Sequence, residues 1–333
     1  MIIFSTSFEY GSGGIQGWAS ELLDGGLATG IQADGIDKRS LLLRPYRWIV
    51  GTLKSETLIF FTWKLFLVVL PIISLKRMFF RDRMRVYVVF HGSEIPRENS
   101  LTSKILKYFF ISFKVNIICN SNFTKKVLGA SVGVQANVVR PLIRNYLNSR
   151  SVRCKSCSSF PYRVITISRL VSRKNLCSAI SAVINLREHG IAIEYHIAGS
   201  GPEEQKLKEL GAYDPSGIIF HGYISEERKT KLLSQSNLFL IPSTAEDRDY
   251  EGYGMAAIEA NALGLPVVCS RSGGLPEAIK ENETGILCDG SVDSIERALQ
   301  KAIGTKFETS ALRSSAERHL FTEEYLTEFL KVK

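Results

Sequence analysis

Glu251 and Glu259 stand eight positions apart in EGYGMAAIE, with Gly-Tyr-Gly after the first and small apolar residues before the second. Gly252 and Gly254 each cost about 1 kcal/mol relative to Ala inside a helix, so the spacing predicts a helix that begins near Gly254. Glu251 then lies on the loop that enters the helix and Glu259 about one turn inside. The pair suits either a surface helix with two acids or a ligand held by both. A second group of chemistry-bearing residues is ISRLVSRKN (Ile167 to Asn175), which follows an apolar strand and carries Arg169, Arg173 and Lys174. Two cations five residues apart on a loop can grip a diphosphate, Arg through its fork and Lys as a point charge. A solvated loop is the plain alternative.

Three further segments bear on chemistry. YGSGGIQGW (Tyr10 to Trp18) follows the first strand, but its glycines are spaced one residue too long for the dinucleotide fingerprint. No acidic residue ends a second apolar run, which argues against a nicotinamide. Gly13 and Gly14 at a helix start instead leave backbone N–H groups for an anion, or form a simple tight turn. His91 ends the strand in VVFHGSE, a position that faces a ligand cleft in open α/β sheets, although a lone His is as often structural. HIAGSGPEEQKL is a strand, a Gly-rich turn and a helix start, with Pro202 suited to the first helical turn. Cys154 and Cys157 form a single Cys-x-x-Cys with no second pair or His cluster, so they read as thiols rather than a zinc site.

The elements that must position these residues alternate short apolar runs with helical stretches, the pattern of parallel sheets covered on both faces. Strand candidates in the first half begin at Ile2, Val86 and Val115. In the second half they begin at Arg163, Ile193, Ile218, Asn237, Leu265 and Thr284. Residues 1–147 form one expected Rossmann-like domain and 162–310 another. The aperiodic segment 148–161 links them, and a helical segment over 311–333 packs back towards the first. LIFFTWKLFLVVLPII (Leu58 to Ile73) is apolar but only sixteen residues long, short of the ~20 a membrane span needs. It is expected as a strand over Leu58 to Thr62 running into a core or interfacial helix.

The 333 residues suffice for two domains, and 45% hydrophobic with 23% charged residues is ordinary globular composition. The opening MIIFSTSFEYGSGG has no basic n-region, and six scattered cysteines read as reduced thiols, together implying a cytoplasmic protein. The net charge of +9 is uneven. Residues 1–150 hold 20 Lys+Arg against 9 Asp+Glu, whereas 151–333 hold 22 against 24. KRMFFRDRMR (Lys76 to Arg85) and KILKYFFISFK (Lys104 to Lys114) interleave cations with apolar residues, which suits an anionic membrane surface or a phosphorylated partner. No nucleic-acid-binding motif accompanies the charge, so nucleic acid is not an expected partner.

From Arg163 to Asp289 the chain carries RVITISRLVSRKN, YHIAGSGPEEQKL, IIFHGYIS, LFLIPST, EGYGMAAIEANALGLPVVCSRSGGLPEAI and ETGILCDG. In this order they resemble the family-four retaining glycosyltransferases (glycosyl transferases group 1). That family has the GT-B fold, two facing Rossmann-like domains with parallel sheets and an interdomain cleft. The resemblance implies a nucleotide-sugar donor on the second domain and an acceptor on the first. Arg169 and Lys174 match the family's diphosphate-binding cations, Glu251 the carboxylate on donor-sugar hydroxyls, and Glu259 the one on the ribose. Gly252, Tyr253, Gly254 and Met255 match the backbone facing sugar and phosphates, and Tyr223 and Ile224 the contact to the base. Gly13 and Gly14 match the turn closing over the diphosphate, and His91 the histidine near the transferred sugar. The resemblance further implies a hexosyltransferase with no metal or cofactor. It would extend a lipid-linked glycan in cell-surface polysaccharide or lipopolysaccharide synthesis, peripheral on the inner face of the cell membrane. A nucleotide-sugar epimerase of the same fold and a non-catalytic sugar-nucleotide-binding subunit are the alternatives. The chain departs from the family in a short first domain, in Val139-Arg140-Pro141-Leu142 where Pro-Asn-Gly is frequent, and in the insertion AEDRDY (Ala245 to Tyr250).

Overall fold

The computed structural model describes residues 1–5, 14–28, 34–36, 45–80, 84–143, 161–247 and 249–331. The chain divides into two compact units, residues 1–144 with 319–333, and residues 145–318. The expected linker over 148–161 lies, apart from Pro161, outside the described residues.

In the first unit six parallel strands follow the order β2-β1-β3-β4-β5-β6. They are β1 (Ile2–Phe4), β2 (Asp34–Ile36), β3 (Thr57–Phe60), β4 (Arg85–Phe90), β5 (Asn116–Cys119) and β6 (Asn137–Val138). The central strands are nearly continuous Val, Ile and Phe because parallel strands are buried on both faces. Between them run α1 (Gly14–Ala28), α2 (Pro45–Lys54), α3 (Trp63–Phe80), α4 (Leu101–Ser112) and α5 (Asn122–Val132). Ser100 and Ser121 start α4 and α5 by accepting N–H bonds from Ser103 and Thr124, and Gly133 ends α5 at φ 69°. The links through α2, α3, α4 and α5 all step across the sheet in one direction, so right-handed crossovers set these four helices on one face.

Two expectations need correction here. The strand expected over Leu58–Thr62 is Thr57–Phe60, because the 3.6-residue period of α3 already governs from Trp63. The region 29–55, which shows no apolar run, nevertheless contributes β2, whose Asp-Gly-Ile pairs with β1 as the sheet edge. Three residues are too few for a periodic signal.

The second unit has the order β12-β11-β10-β7-β8-β9, again all parallel. Its strands are β7 (Tyr162–Ile167), β8 (Ile193–Ala198), β9 (Ile218–Gly222), β10 (Leu238–Ile241), β11 (Val267–Ser270) and β12 (Gly285–Cys288). Its helices are α6 (Leu176–Glu188), α7 (Glu204–Gly211), α8 (Glu226–Ser234), α9 (Met255–Ala262), α10 (Leu275–Ala278), α11 (Val292–Ile303) and α12 (Thr309–Glu317). Pro202 sits in the turn before α7 rather than in its first turn, since Glu203 caps the helix. Within the C-terminal segment α12 packs on α9, whereas α13 (Glu323–Lys331) belongs to the first unit. There Phe329 is fully buried beside Trp18 and Tyr87, and the Tyr325 hydroxyl accepts from Trp18 Nε1 at 2.8 Å while donating to the Arg140 carbonyl at 2.7 Å. No helix among the described residues is long and apolar enough to cross a membrane.

Candidate functional site

Three loops at the carboxyl ends of neighbouring strands build the site in the second unit. After β7 the chain forms a single 3-10 turn, Ser172–Lys174, and stops it at Asn175 in the left-handed region, φ 54°. Asn tolerates that conformation because its short amide can bond locally. Here the amide donates to the Pro242 carbonyl at 3.1 Å and the Gly290 carbonyl at 2.8 Å, tying the loop to the ends of β10 and β12. The Thr244 N–H adds a bond to the Arg173 carbonyl at 2.8 Å.

The Glu251 loop is clamped from the other side. Gly274 donates its N–H to the Glu251 carbonyl at 2.8 Å. A Cβ at Gly273, which lies at φ +59°, would stand 2.3 Å from that oxygen, and one at Gly274 would stand 2.1 Å from the Gly252 carbonyl. The Ser-Gly-Gly run is therefore a requirement of close backbone approach. Gly254, at φ +96°, caps α9 without a side chain and leaves the first N–H groups of that helix, including that of Met255, outside any side-chain cap. Tyr253 is buried beneath the turn.

These clamps bring three charges together. Arg173 Nη1 donates to Glu251 Oε1 at 2.7 Å, and Lys174 Nζ donates to the same oxygen. Arg173 Nε also pairs with Asp249 at 2.9 Å. Burial alone would raise the Glu251 carboxyl, but Lys174 and then Arg173 outweigh it and hold it at about 2. Lys174 goes the other way. Burial lowers its pKa, and the positive fields of Arg173 and Arg169 add to that against the attraction of Glu251. For Arg173, burial opposes protonation and the two carboxylates overcome it. The result is a largely desolvated cluster in which one carboxylate oxygen takes hydrogen bonds from two basic side chains.

The sequence marks Arg169, Arg173 and Lys174 on this loop and pairs Arg169 with Lys174; in the structure it is Arg173 that joins Lys174 on Glu251. Arg169 is exposed and reaches the cluster only through its field. Arg173 is the most buried of the three, a position signalled only by its place next to Lys174 in the tight turn. Glu259 lies on α9 as expected, but its carboxylate meets Lys229 Nζ of α8 at 2.8 Å, a partner that no motif marked. Tyr223 follows β9 and is 84% exposed, with Ile224 half-buried beside it. Gly222 accepts the Gly199 N–H at 2.8 Å, which joins this loop to the Gly-Ser-Gly turn.

The first unit carries the other expected residues. Gly13 lies outside the described residues, and Gly14 is the first residue of α1. His91 ends β4, yet its ring is 8% exposed, with Trp18 edge-on at 5.5 Å and Phe61 stacked at 5.7 Å. The expectation of a side chain open to a cleft is thus corrected: aromatic packing from Trp18 of α1 and from Phe61, which follows β3, encloses it. Burial drives its pKa down to about 3, so the ring is neutral, and among the described residues Nε2 has no hydrogen-bond partner. Among the described residues no group of three or more His, Cys, Asp or Glu is placed to hold a metal; Cys154 and Cys157 lie outside them.

Comparison with known proteins agrees with this architecture. The chain is 31% identical over 205 residues to the amylovoran biosynthesis glycosyltransferase AmsK of Erwinia amylovora, covering 60% of this chain and 50% of that one. It is 31% identical over 146 residues to a GDP-mannose-dependent alpha-(1-6)-phosphatidylinositol monomannoside mannosyltransferase of Mycobacterium tuberculosis, covering 42% and 38%. The chain thus spans half or less of the length of these relatives. The crystal structure of Anabaena HepE in complex with UDP and glucose superposes with a TM-score of 0.67 at 16% identity, over 99% of this chain and 98% of that one. At that identity the likeness is one of fold, and the fold is GT-B. The profile described as glycosyl transferases group 1 matches residues 159–318, the span that carries the Glu251 cluster. Through those residues the chain is similar to the glycosyl transferases group 1 family.

Proposed function

We propose that the protein transfers a hexose, with retention, from a nucleotide-sugar donor to a lipid-linked glycan during cell-surface polysaccharide synthesis. The observation that carries this reading is the buried Arg173–Lys174–Glu251 cluster beside the N-terminus of α9. A donor diphosphate offers Lys174 and Arg173 a doubly charged partner, and they move from the Glu251 oxygen to the phosphates. The carboxylate so released accepts hydrogen bonds from the sugar hydroxyls. Glu259 serves the ribose, and Tyr223 with Ile224 flanks the base. Two cations and the positive end of a helix dipole stabilise the departing diphosphate, so the reaction needs no metal.

Relatives whose names mention amylovoran biosynthesis and a phosphatidylinositol mannoside support a glycan acceptor carried on lipid, and HepE with UDP supports a nucleotide donor. The protein would then work in the cytoplasm, peripheral on the inner face of the membrane, through its basic first half. The test is a panel of nucleotide sugars in a thermal-shift assay, followed by transfer with the donor that stabilises. Glu251→Ala abolishes transfer while nucleotide binding persists. An unchanged rate removes Glu251 from the mechanism, and donor conversion without an acceptor points to an epimerase.

A further inference from the structure

Among the described residues, the large hydrophobic side chains left exposed are not scattered. Apart from Tyr213 and Tyr223 they all lie on α2, α3 and α4, three of the four helices that cover one face of the first unit's sheet. Helix α3 is apolar all round. Phe66, Val69 and Ile73 fill the core, while Val68, Leu75, Met78 and Phe79 point to solvent, the last two 66% and 70% exposed. Together with Lys64 they recur at the spacing of a single helical stripe. A helix apolar on every side is ordinarily buried on every side, and packing on the sheet accounts for only half of this one.

Helix α4 repeats the feature. Leu106 and Phe110 are buried, whereas Leu101, Ile105, Tyr108 and Ile111 are exposed, with Lys104 and Lys107 exposed between them. The C-terminal ends of the two helices are fastened together, since Arg77 Nη1 of α3 donates to the Phe113 carbonyl at 2.7 Å and its guanidinium lies 5.4 Å over the Phe113 ring. Neither helix contains an Asp or a Glu. Isolated exposed hydrophobics need no explanation, but a run along two tied helices marks an interaction surface.

We propose that this face of α3 and α4 seats on an anionic lipid bilayer. Its apolar side chains enter the headgroup region, and Lys64, Lys104 and Lys107 meet the lipid phosphates. The chemistry fits because apolar residues interleaved with cations are what an interfacial helix presents to anionic lipid. A second copy of the chain fits poorly: a two-fold contact on this face would set lysines against lysines with no carboxylate to answer them. The inference rests on the reading above that the acceptor is lipid-borne, and it makes the docking an insertion of side chains rather than charge attraction alone.

Full-chain protein is sedimented with vesicles of phosphatidylcholine and with vesicles that also contain phosphatidylglycerol. It should bind the second kind. Met78→Glu with Phe79→Glu, and separately Ile105→Glu with Tyr108→Glu, should lower the bound fraction at least about tenfold, and Tyr213→Glu in the second unit should leave it unchanged. Phe79→Trp gives a direct readout, with an emission that shifts to the blue on anionic vesicles. An emission that stays put, or Glu variants that bind like the wild type, overturns the proposal, as does a wild-type dimer in solution that Phe79→Glu dissociates. Transfer from the stabilising donor to a lipid-linked glycan dispersed in detergent, without vesicles, is followed in parallel. Its loss would sink the transferase reading while leaving the vesicle result standing on its own.

Discussion

Arg173 and Glu251 meet at 2.7 Å through Nη1 and Oε1, seventy-eight residues apart in the chain and each largely withdrawn from water. Glu251 and Asp249 together answer the two cations, and removing one member leaves the others uncompensated. Glu251→Gln keeps the shape and removes the charge. It should cut transfer at least about hundredfold, the scale of losing one transition-state contact, while affinity for the nucleoside diphosphate holds or rises. Single-turnover rates and calorimetric titration separate the two; a parallel loss of both would make Glu251 a structural residue.

Acid should destabilise the protein in two windows. Glu251 is held at about 2 in the folded chain against an ordinary 4.5, so its contribution is complete above 4.5 and is lost as pH falls towards 2. The shift corresponds to at most about 3 kcal/mol, and the lowered pKa of Lys174 offsets part of it. His91 is held near 3 against 6.5. Unfolded chains take up its proton first, so stability also falls as pH drops from 6.5 towards 3. Urea midpoints measured across this range should slope downwards, and His91→Phe should flatten the section between 6.5 and 4.5.

Gly273→Ala should be the more damaging of two glycine substitutions. Its Cβ would meet the Glu251 carbonyl in a backbone that L side chains rarely adopt. We expect a loss of several degrees in Tm with transfer reduced even where the fold survives. Gly17 lies inside α1 with open space around a Cβ, so Gly17→Ala should stabilise by about 0.5–1 kcal/mol. Melting curves of the pair would expose the error if both moved the same way.

Glu259→Gln should weaken donor binding about tenfold, the value of one hydrogen bond to a charged group. Its ion pair with Lys229 is partly solvated, so stability should change by less than about 1 kcal/mol. A binding loss matched by an equally large stability loss would assign Glu259 to the fold instead of the ligand.

Much of this was legible in the residues. The strands of the second unit stand out as short apolar runs, and Gly252 and Gly254 mark the helix start that Gly254 makes at φ +96°. What escaped was set by tertiary approach. Lys229, and the choice of Arg173 over Arg169 for Glu251, depend on partners 30 and 78 residues away, which local spacing cannot encode. The three residues of β2 are a strand only because β1 lies beside them. VVFHGSE puts His91 directly after its strand, but the aromatic rings that enclose it are Trp18 of α1 and Phe61 after β3, so its burial is invisible there.

Phe329 and Tyr325 supply part of the first unit's core, against Trp18 and Tyr87. They leave the ribosome only after every residue of the second unit. The first unit's sheet therefore waits with an apolar groove uncovered while the whole second unit is being added, and α13 decides when it is finished.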